Sequence, residues 1–222
     1  MSDYLATRDR VEHYFDRSAT KVWERLTSDA PVSRIRQTVR EGRDRMRATM
    51  LSRLPDDLTG ARVLDAGCGA GQMTAELAAR GAEVTAVDIS PALVEIARAR
   101  LPENHLPRVR FASGDMLADH LGRFDYVLAM DSMIYYSTLD IAQALDRLGA
   151  RTDTAVVFTV APRTPFLMTF WGLGQMFPRA DRSPTMVPHA FERLNRATGN
   201  RLSRVARVSR GFYISECLEF RP

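Results

Sequence analysis

The chain has 222 residues, 45% of them hydrophobic and 26% charged, which suits one domain of the larger kind with an ample core. Its two cysteines, Cys68 and Cys217, exclude a disulfide framework, so we expect reduced, intracellular chemistry. The N-terminus does not resemble a signal peptide, and no stretch approaches the roughly 20 apolar residues that a spanning helix needs. We therefore expect a cytoplasmic protein that contacts membranes at most peripherally.

The net charge of +4 is unevenly distributed along the chain. Residues 1–60 carry 12 basic and 10 acidic side chains, residues 61–161 carry 9 and 13, and residues 162–222 carry 10 and 4. The three segments therefore have net charges of +2, −4 and +6. A basic C-terminal third beside an acidic centre favours an anionic substrate, or an anionic surface, on that side of the protein.

The first part of the chain is predicted to be a helical arm over residues 1–58. Recurring apolar residues predict one helix over 11–26 and a second over 35–50. The second helix is rich in arginine: Arg34, Arg36, Arg40, Arg43, Arg45 and Arg47.

A glycine-rich turn between a strand and a helix follows the arm. An apolar strand ends at Leu64, and the segment 65–71 reads Asp-Ala-Gly-Cys-Gly-Ala-Gly before a helix predicted over 72–80. Glycines let a backbone turn sharply and approach a ligand closely. The next strand, predicted over 83–87, ends at Asp88, 21 positions after Gly67, where an acid is placed to accept hydrogen bonds from a ribose.

Strand and helix signals then alternate, which predicts a parallel sheet. Strands are expected over 109–112, 124–130 and 155–160, and helices over 90–100 and 139–148.

The alternation ends at residue 162. The segment 162–187 combines prolines, aromatic residues and arginines, and it is too long and too apolar for a simple connection, so we expect a lid over a pocket. A helix over 188–198 and a closing antiparallel hairpin, 204–208 with 213–220, complete the predicted elements.

The glycine turn favours one cofactor class over another. A dinucleotide fingerprint is G-x-G-x-x-G, whereas the third glycine here comes one residue early and Gln72 follows it. Together with Asp65 and Asp88, the short loop resembles the S-adenosylmethionine site of the doubly wound methyltransferases. An NAD site, and a tight turn with incidental acids, are the alternatives.

This interpretation predicts an α/β, doubly wound, Rossmann-like methyltransferase fold over residues 59–222, with a mostly parallel seven-stranded sheet and a C-terminal antiparallel hairpin. Asp115 and Met116 follow the third strand, where these enzymes place an acid for the adenine amino group and an apolar neighbour for its ring. The predicted cofactor contacts are Asp65, Gly67, Cys68, Gly69, Gly71, Asp88, Ile89, Asp115, Met116 and Met130.

The reaction centre is expected after the fourth strand. Asp131 lies at the carboxyl edge of the sheet, where open α/β folds bind ligands. Tyr135 and Tyr136 would line the centre, although either could instead pack in the core.

Several segments resemble the magnesium-protoporphyrin IX O-methyltransferases of chlorophyll and bacteriochlorophyll synthesis. The resembling segments are 13–16 (HYFD), 23–26 (WERL), 35–42 (IRQTVREG), 64–69 (LDAGCG), 130–136 (MDSMIYY), 177–184 (FPRADRSP) and 211–213 (GFY). One position departs from the pattern: Tyr135 stands where we would look for a histidine, so the resemblance implies no imidazole at that position.

The resemblance implies transfer of a methyl group from S-adenosylmethionine to a propionate carboxylate of magnesium-protoporphyrin IX. Tyr14 is the first candidate to close over the cofactor and orient the carboxylate, and Tyr135 is the second. Tyr136, Arg163, Arg179 and Arg182 are candidates for binding the substrate. No resident metal is expected, and His13 is predicted to be structural. The resemblance also implies handover of the substrate from the magnesium chelatase.

Other functions stay open at this point. A quinone, a polyketide or another small metabolite could be the methyl acceptor, or the chain could be a non-catalytic cofactor-binding module of a pigment-assembly complex. Nucleic-acid methylation is disfavoured, because no Asn-Pro-Pro-Tyr or Pro-Cys motif follows the fourth strand. The arginine-rich second helix would also suit peripheral contact with an anionic inner or intracytoplasmic membrane.

Overall fold

The computed structural model describes residues 2–15, 33–165, 167–168 and 184–222. Its centre is a seven-stranded sheet with the strand order β3-β2-β1-β4-β5-β7-β6. Strands β1 to β5 are parallel to one another, while β7 runs antiparallel to both β5 and β6. The predicted fold, including its closing hairpin, is confirmed.

The strands agree closely with those predicted. They are β1 (Arg62–Ala66), β2 (Glu83–Asp88), β3 (Val109–Ser113), β4 (Phe124–Ala129), β5 (Thr152–Val160), β6 (Leu202–Arg210) and β7 (Tyr213–Phe220).

The described helices are α1 (Ser2–Tyr14), α2 (Arg34–Leu51), α3 (Gln72–Ala79), α4 (Pro91–Arg100), α5 (Thr138–Gly149) and α6 (Phe191–Ala197). Local sequence explains two of the helix starts. Ser90 caps α4 by accepting from the Leu93 amide, with Pro91 in the first turn. Ser137 and Asp140 form a capping box at α5.

The sheet is buried on both faces, because successive side chains of a strand point to opposite sides. Leu64 of β1 belongs to one apolar cluster, which includes Leu145 of α5. Val63 belongs to the other cluster, which includes Met46 and Met50 of α2. The helix α2 is therefore part of the core, and not only an appended arm.

Close contacts fix α2 against the C-terminal hairpin. A Cβ on Gly42 of α2 would lie 2.6 Å from Cδ1 of Tyr213, so only glycine lets the two elements approach this closely. At the hairpin turn, a Cβ on Gly211 would lie 2.3 Å from Oγ1 of Thr38. With this packing, Arg43 of α2 reaches Asp131, which lies at the carboxyl edge of the sheet.

The prediction for the first helix was wrong at its start. The helix begins at Ser2 and not at residue 11, and the residues from 16 to 32 lie outside the described part of the chain. Among its described side chains, Tyr4 and Val11 are buried, two turns apart, and polar residues occupy most other positions. Two apolar anchors make a weak periodic signal, and their burial depends on tertiary contacts.

The predicted lid, 162–187, lies largely outside the described residues. At its two ends the backbone is tied to the fold: the Arg163 amide donates to the His189 carbonyl at 2.9 Å, and the Val187 amide donates to the Ile134 carbonyl at 2.8 Å. Within the described segments, no helix is long and apolar enough to cross a membrane.

Candidate active site

A cavity lies at the carboxyl ends of β1 to β4, between α1 and α2. Its empty volume is about 1060 Å³, which includes the part open to solvent. The loops after four adjacent parallel strands line it, as expected for ligand sites in open α/β sheets.

The glycine loop after β1 forms the floor of this cavity. The Gly67 and Cys68 amides donate to the Val87 carbonyl at 2.8 and 3.0 Å, which ties the loop to β2. Gly67 has φ +89°, and a Cβ there would lie 2.4 Å from Cβ of Ser132. At Gly69, by contrast, no atom lies within 4 Å of an added Cβ. The loop therefore packs tightly at Gly67 and leaves open space beside Gly69.

Asp88, at the end of β2, holds the same loop through its carboxylate. One oxygen accepts from the Gly69 amide at 2.8 Å and the other from the Ser90 amide at 2.9 Å. The side chain is nearly buried and lines the cavity. The predicted acid thus lies beside the glycine loop and orients it.

Asp65 is buried behind the loop at the end of β1. Its carboxylate accepts a 2.6 Å hydrogen bond from the Thr74 hydroxyl of α3. Burial, and to a lesser degree the charge of Asp88, raise the pKa of Asp65 to about 7. A buried carboxylate that lines the cavity favours a cationic group nearby, because such a group would compensate its lost hydration.

At the β3 side of the cavity, α1 contacts the loop that carries Asp115. The Tyr4 hydroxyl donates to Asp115 at 2.7 Å, and the Tyr4 ring stacks on Tyr136 with centroids 4.9 Å apart. The same Asp115 oxygen accepts from the Leu117 amide at 2.8 Å, and the guanidinium of Arg8 lies 3.6 Å from the other oxygen. The N-terminal helix thus covers the predicted adenine side.

Two arginines that do not line the cavity hydrogen-bond to the backbone of the loop that carries Asp115. Arg151 donates to the carbonyls of Ala118 and Met116 at 2.5 and 2.7 Å. Arg147 donates to the Leu117 carbonyl at 2.9 Å. Three successive carbonyls of the loop are therefore held by guanidinium groups from the end of α5 and the residues just after it.

Asp131 lies at the centre of a hydrogen-bond network after β4. It has φ +56°, and its carboxylate accepts from Arg43 of α2 at 2.5 Å and from the Tyr213 hydroxyl at 3.1 Å. The Thr159 hydroxyl donates to the same carboxylate at 3.1 Å. Asp131 therefore joins α2, β5 and β7 at the edge of the cavity, and three donors keep its oxygens occupied as acceptors.

The tyrosines around Asp131 are held in their protonated form. Burial, and then the nearby Asp131 charge, raise the pKa of Tyr135 and that of Tyr213 well above the usual value. Both hydroxyls therefore keep their protons at neutral pH, and that of Tyr213 donates to Asp131. Next to them, the Ser132 hydroxyl is buried and has no hydrogen-bond partner among the residues that the structure describes.

Most of the predicted site residues meet at this cavity. Those that line it are Asp65, Gly67, Cys68, Gly69, Asp88, Ile89, Asp115, Met116, Met130, Asp131, Tyr135 and Tyr136.

Five predicted residues do not line it or lie outside the described chain. Gly71 instead packs on α4, where an added Cβ would lie 2.9 Å from Cβ of Ala97. Tyr14 contacts the ring of Phe15, which in turn lines the cavity and meets Tyr135 edge-on at 6.4 Å. Arg163 is exposed and is not a lining residue. The other two residues lie outside the described part of the chain: Arg179 and Arg182.

Several residues of the site were not predicted. The helices α1 and α2, with the residue just after α1, contribute Tyr4, Arg8, Val11, Phe15, Arg43 and Arg47 to the lining. The seven-residue spacing of Tyr4 and Val11 was a usable signal for α1. The arginines of α2 were seen as a basic helix, but their spacing alone did not separate inward from outward positions.

Comparisons with known proteins agree with this architecture. The family described as "Magnesium-protoporphyrin IX methyltransferase C-terminus" matches residues 129–222, and the family described as "Methyltransferase domain" matches residues 63–152. The chain is 63% identical over 222 residues to the magnesium-protoporphyrin O-methyltransferase of Rhodobacter capsulatus, covering 100% of this chain and 99% of that protein.

Solved structures with bound ligands are also similar. The structure of magnesium protoporphyrin IX methyltransferase (ChlM) from Synechocystis with bound SAH has a TM-score of 0.79 and 28% identity, covering 96% of this chain and 99% of that chain. The same protein with bound SAM has a TM-score of 0.76 and 25% identity, covering 97% of each chain.

Proposed function

The chain belongs to the family of magnesium-protoporphyrin O-methyltransferases, and we propose that it transfers a methyl group from S-adenosylmethionine to a propionate carboxylate of magnesium-protoporphyrin IX. The product would be the monomethyl ester, within bacteriochlorophyll biosynthesis. The observation that carries this proposal is the identity of 63% along the full length to a protein of that name.

The cavity suits S-adenosylmethionine, which when bound supplies a methyl group on a positively charged sulfur. The open space beside Gly69 would admit a ligand against the backbone, where a side chain would obstruct it. Asp88 would accept from the ribose, and Asp115 with Met116 would hold the adenine. Asp65 would favour the positive charges of the ligand, because its carboxylate is buried behind the loop.

The acceptor needs orientation more than proton transfer. A carboxyl group with a pKa near 4.3 is already ionised at neutral pH, so no general base is required. Alignment and exclusion of water can supply roughly 7–11 kcal/mol in favourable cases. Tyr135 would donate a hydrogen bond that orients the carboxylate, since it lines the cavity and stays protonated.

The other two predicted catalytic residues would act differently. Asp131 is a positioning residue, because its carboxylate accepts from Arg43 and Tyr213 and so fixes both. Tyr14 does not line the cavity, so Tyr135 is the favoured residue of the pair. Arg179 and Arg182 stay predictions for substrate binding, as does Arg163.

The division into two parts stays a proposal, which the contribution of α1 and α2 to the cavity supports. Residues 1–58 would form a cap that supplies Tyr4 and Arg43, and residues 59–222 would form the methyltransferase domain with its insertion, 162–187. Handover of the substrate from the magnesium chelatase, and peripheral contact of α2 with an anionic membrane, stay predictions from the sequence.

The test is incubation of the purified chain with S-adenosylmethionine and magnesium-protoporphyrin IX, followed by chromatography and mass analysis. Formation of the monomethyl ester together with S-adenosylhomocysteine is the expected result. Tight cofactor binding without ester would instead indicate another acceptor, such as a quinone or polyketide, or a non-catalytic module. An assay without S-adenosylmethionine is the control.

A further inference from the structure

We propose that His189 is a positioning residue for methyl transfer, whose imidazole holds the backbone beside Tyr135 and so fixes the hydroxyl that orients the acceptor carboxylate. The inference rests on the proposed function, since it takes Tyr135 as the residue that orients this carboxylate. It adds to the reaction a residue that does not line the cavity and is distant from Tyr135 in the sequence.

The segment that carries Tyr135 has no regular secondary structure of its own. Residues 130–137 lie between the end of β4 and the start of α5, and they belong to neither a helix nor a strand. The conformation of such a segment depends on the hydrogen bonds that its backbone makes with other parts of the chain.

A short segment that ends at His189 supplies such bonds on both sides of Tyr135. The Val187 amide donates to the Ile134 carbonyl at 2.8 Å, and Nε2 of His189 lies 3.1 Å from the Tyr136 carbonyl. The carbonyls of the residues before and after Tyr135 are therefore held from the same side. The first bond comes from the backbone, whereas the second depends on the imidazole.

The backbone of His189 is in turn fixed by the residues that follow β5. Its amide donates to the Ala161 carbonyl at 2.8 Å, and its carbonyl accepts from the Arg163 amide at 2.9 Å. The residue as a whole is only 3% exposed. The end of β5 thus anchors the imidazole, and the imidazole carries this anchor to Tyr136.

Both nitrogens of the His189 ring have partners, and these partners define where its hydrogen lies. A carbonyl can only accept, so Nε2 carries the hydrogen and donates to Tyr136. Nδ1 then accepts from the hydroxyl of Thr138, the first residue of α5, at 3.2 Å. Burial lowers the pKa of His189 to about 4, so the ring is neutral at physiological pH and keeps this arrangement. The two bonds hold the ring in one orientation.

Loss of the imidazole would leave the Tyr136 carbonyl without its donor and loosen the backbone next to Tyr135. A shift of about 1 Å in an aligned group can lower a rate about 100-fold. The methyl donor is proposed to bind at the loops after β1, β2 and β3, whereas His189 contacts the loop after β4. Loosening should therefore lower the rate of methyl transfer more than the affinity for the donor.

The test uses two replacements that keep different parts of the imidazole. The amide nitrogen of glutamine can take the place of Nε2, and that of asparagine can take the place of Nδ1. His189→Gln can therefore keep the bond to Tyr136, whereas His189→Asn cannot. His120→Asn is the matched control, because His120 is exposed and does not line the cavity.

Each variant is made with and without Tyr135→Phe. The measurements are single-turnover methyl transfer to magnesium-protoporphyrin IX, the dissociation constant of S-adenosylhomocysteine and the melting temperature. Hydrogen exchange of residues 130–137 in the ligand-free protein reports on the segment independently of the reaction.

We expect His189→Asn to lower the single-turnover rate about fivefold, as for loss of one hydrogen bond, with the dissociation constant of S-adenosylhomocysteine within about twofold of the wild type. His189→Gln should keep the rate within about twofold, and so should the control. In the Tyr135→Phe background His189→Asn should cause no further loss, because the hydroxyl that it positions is already absent. Hydrogen exchange over 130–137 should be faster in His189→Asn than in His189→Gln.

Three results would overturn the proposal. Equal losses of rate in His189→Gln and His189→Asn would mean that the bond to Tyr136 does not matter. Full additivity of His189→Asn and Tyr135→Phe would mean that His189 does not act through that hydroxyl, and so would a Tyr135→Phe variant of unchanged rate. Unchanged hydrogen exchange over 130–137 in His189→Asn would show that the imidazole does not hold the segment.

Thr138→Val decides the question if His189→Asn does not fold. It removes the hydrogen bond that orients the imidazole and keeps the imidazole itself, so the rate should fall about twofold to threefold, and only while Tyr135 is present. A wild-type rate in Thr138→Val would then overturn the proposal. Absence of ester with the wild type contradicts the proposed function, whereas the hydrogen-exchange comparison still accepts or rejects the role of His189.

Discussion

The Tyr4 hydroxyl donates a 2.7 Å hydrogen bond to the Asp115 carboxylate, joining residues 111 positions apart in the chain. Stacking of the Tyr4 ring on Tyr136 adds a second contact between α1 and the sheet edge. Together they place the N-terminal helix over the predicted adenine side of the cavity.

Tyr4→Phe should remove the hydrogen bond between α1 and Asp115 while keeping the stacking of the ring on Tyr136. Loss of this hydrogen bond costs about 1 kcal/mol, so the KM for S-adenosylmethionine should rise about fivefold. Steady-state kinetics with each substrate varied in turn measures this. Tyr126→Phe, a tyrosine of β4 that does not line the cavity, is the control. Equal effects of the two variants would contradict a specific role for Tyr4.

Gly67→Ala and Gly69→Ala should separate folding from ligand binding. The added Cβ at Gly67 meets Ser132 at 2.4 Å, so we expect a loss of about 2 kcal/mol or more in the free energy of unfolding. Gly69→Ala has space for its Cβ but must keep a φ of +52°, so it should lose only about 1 kcal/mol in the free energy of unfolding and yet bind S-adenosylhomocysteine more weakly. Thermal melts with and without this ligand test the pair. Normal ligand affinity in Gly69→Ala would argue against the open space as the cofactor position.

Binding of S-adenosylhomocysteine should strengthen as the pH rises through 7. The pKa of Asp65 is about 7 in the free protein, so its carboxyl loses its proton in this range and can then favour the ligand ammonium. Between pH 6 and pH 8 the affinity should increase about tenfold. Calorimetric titrations of wild type and Asp65→Asn would check this, and the variant should show a flat profile.

The raised pKa of Asp65 also predicts that the free energy of unfolding of the ligand-free protein falls as the pH rises. Between about pH 4 and 7 the native carboxyl holds a proton that the unfolded chain has released, so folding becomes less favourable as pH rises. Asp65→Asn should lack this contribution when the pH dependence of the ligand-free melting temperature is compared. A parallel pH dependence in both proteins would mean that other groups dominate.

Arg151→Met should impair the loop that carries Asp115 and Met116. The substitution leaves two loop carbonyls without their donor, so the KM for S-adenosylmethionine should rise more than kcat falls. Arg147→Met removes one carbonyl contact from a half-exposed arginine and should have a smaller effect. Partial recovery in Arg151→Lys would support positioning, whereas an equal fall of kcat for all three variants would not.

Tyr135→Phe and Tyr14→Phe test which hydroxyl orients the acceptor. Because Tyr135 lines the cavity and Tyr14 does not, we expect Tyr135→Phe to lower kcat about tenfold with little change in donor affinity. Tyr14→Phe should be nearly neutral. Single-turnover methyl transfer measures the chemical step directly, and the reverse ranking would assign the role to Tyr14.

The positions of the strands along the chain and of the cofactor loop could be predicted from local sequence. A buried parallel strand reads as a short apolar run, and the turn at Gly67 leaves a glycine pattern within a few residues. Asp88 ends β2, and Asp115 and Asp131 lie two positions beyond the last residues of β3 and β4, so the parallel arrangement by itself brings them to one edge.

Only the tertiary structure decided which distant side chains complete the site. Tyr4, Arg43 and Tyr213 come from two helices and a late strand, and their approach depends on packing such as that of Gly42 on Tyr213. Helical periodicity did not show which arginines of α2 face the cavity. The structure places Arg43 and Arg47 in its lining. Local sequence specifies backbone conformation, whereas the partners of a long polar side chain depend on contacts between elements far apart in the chain.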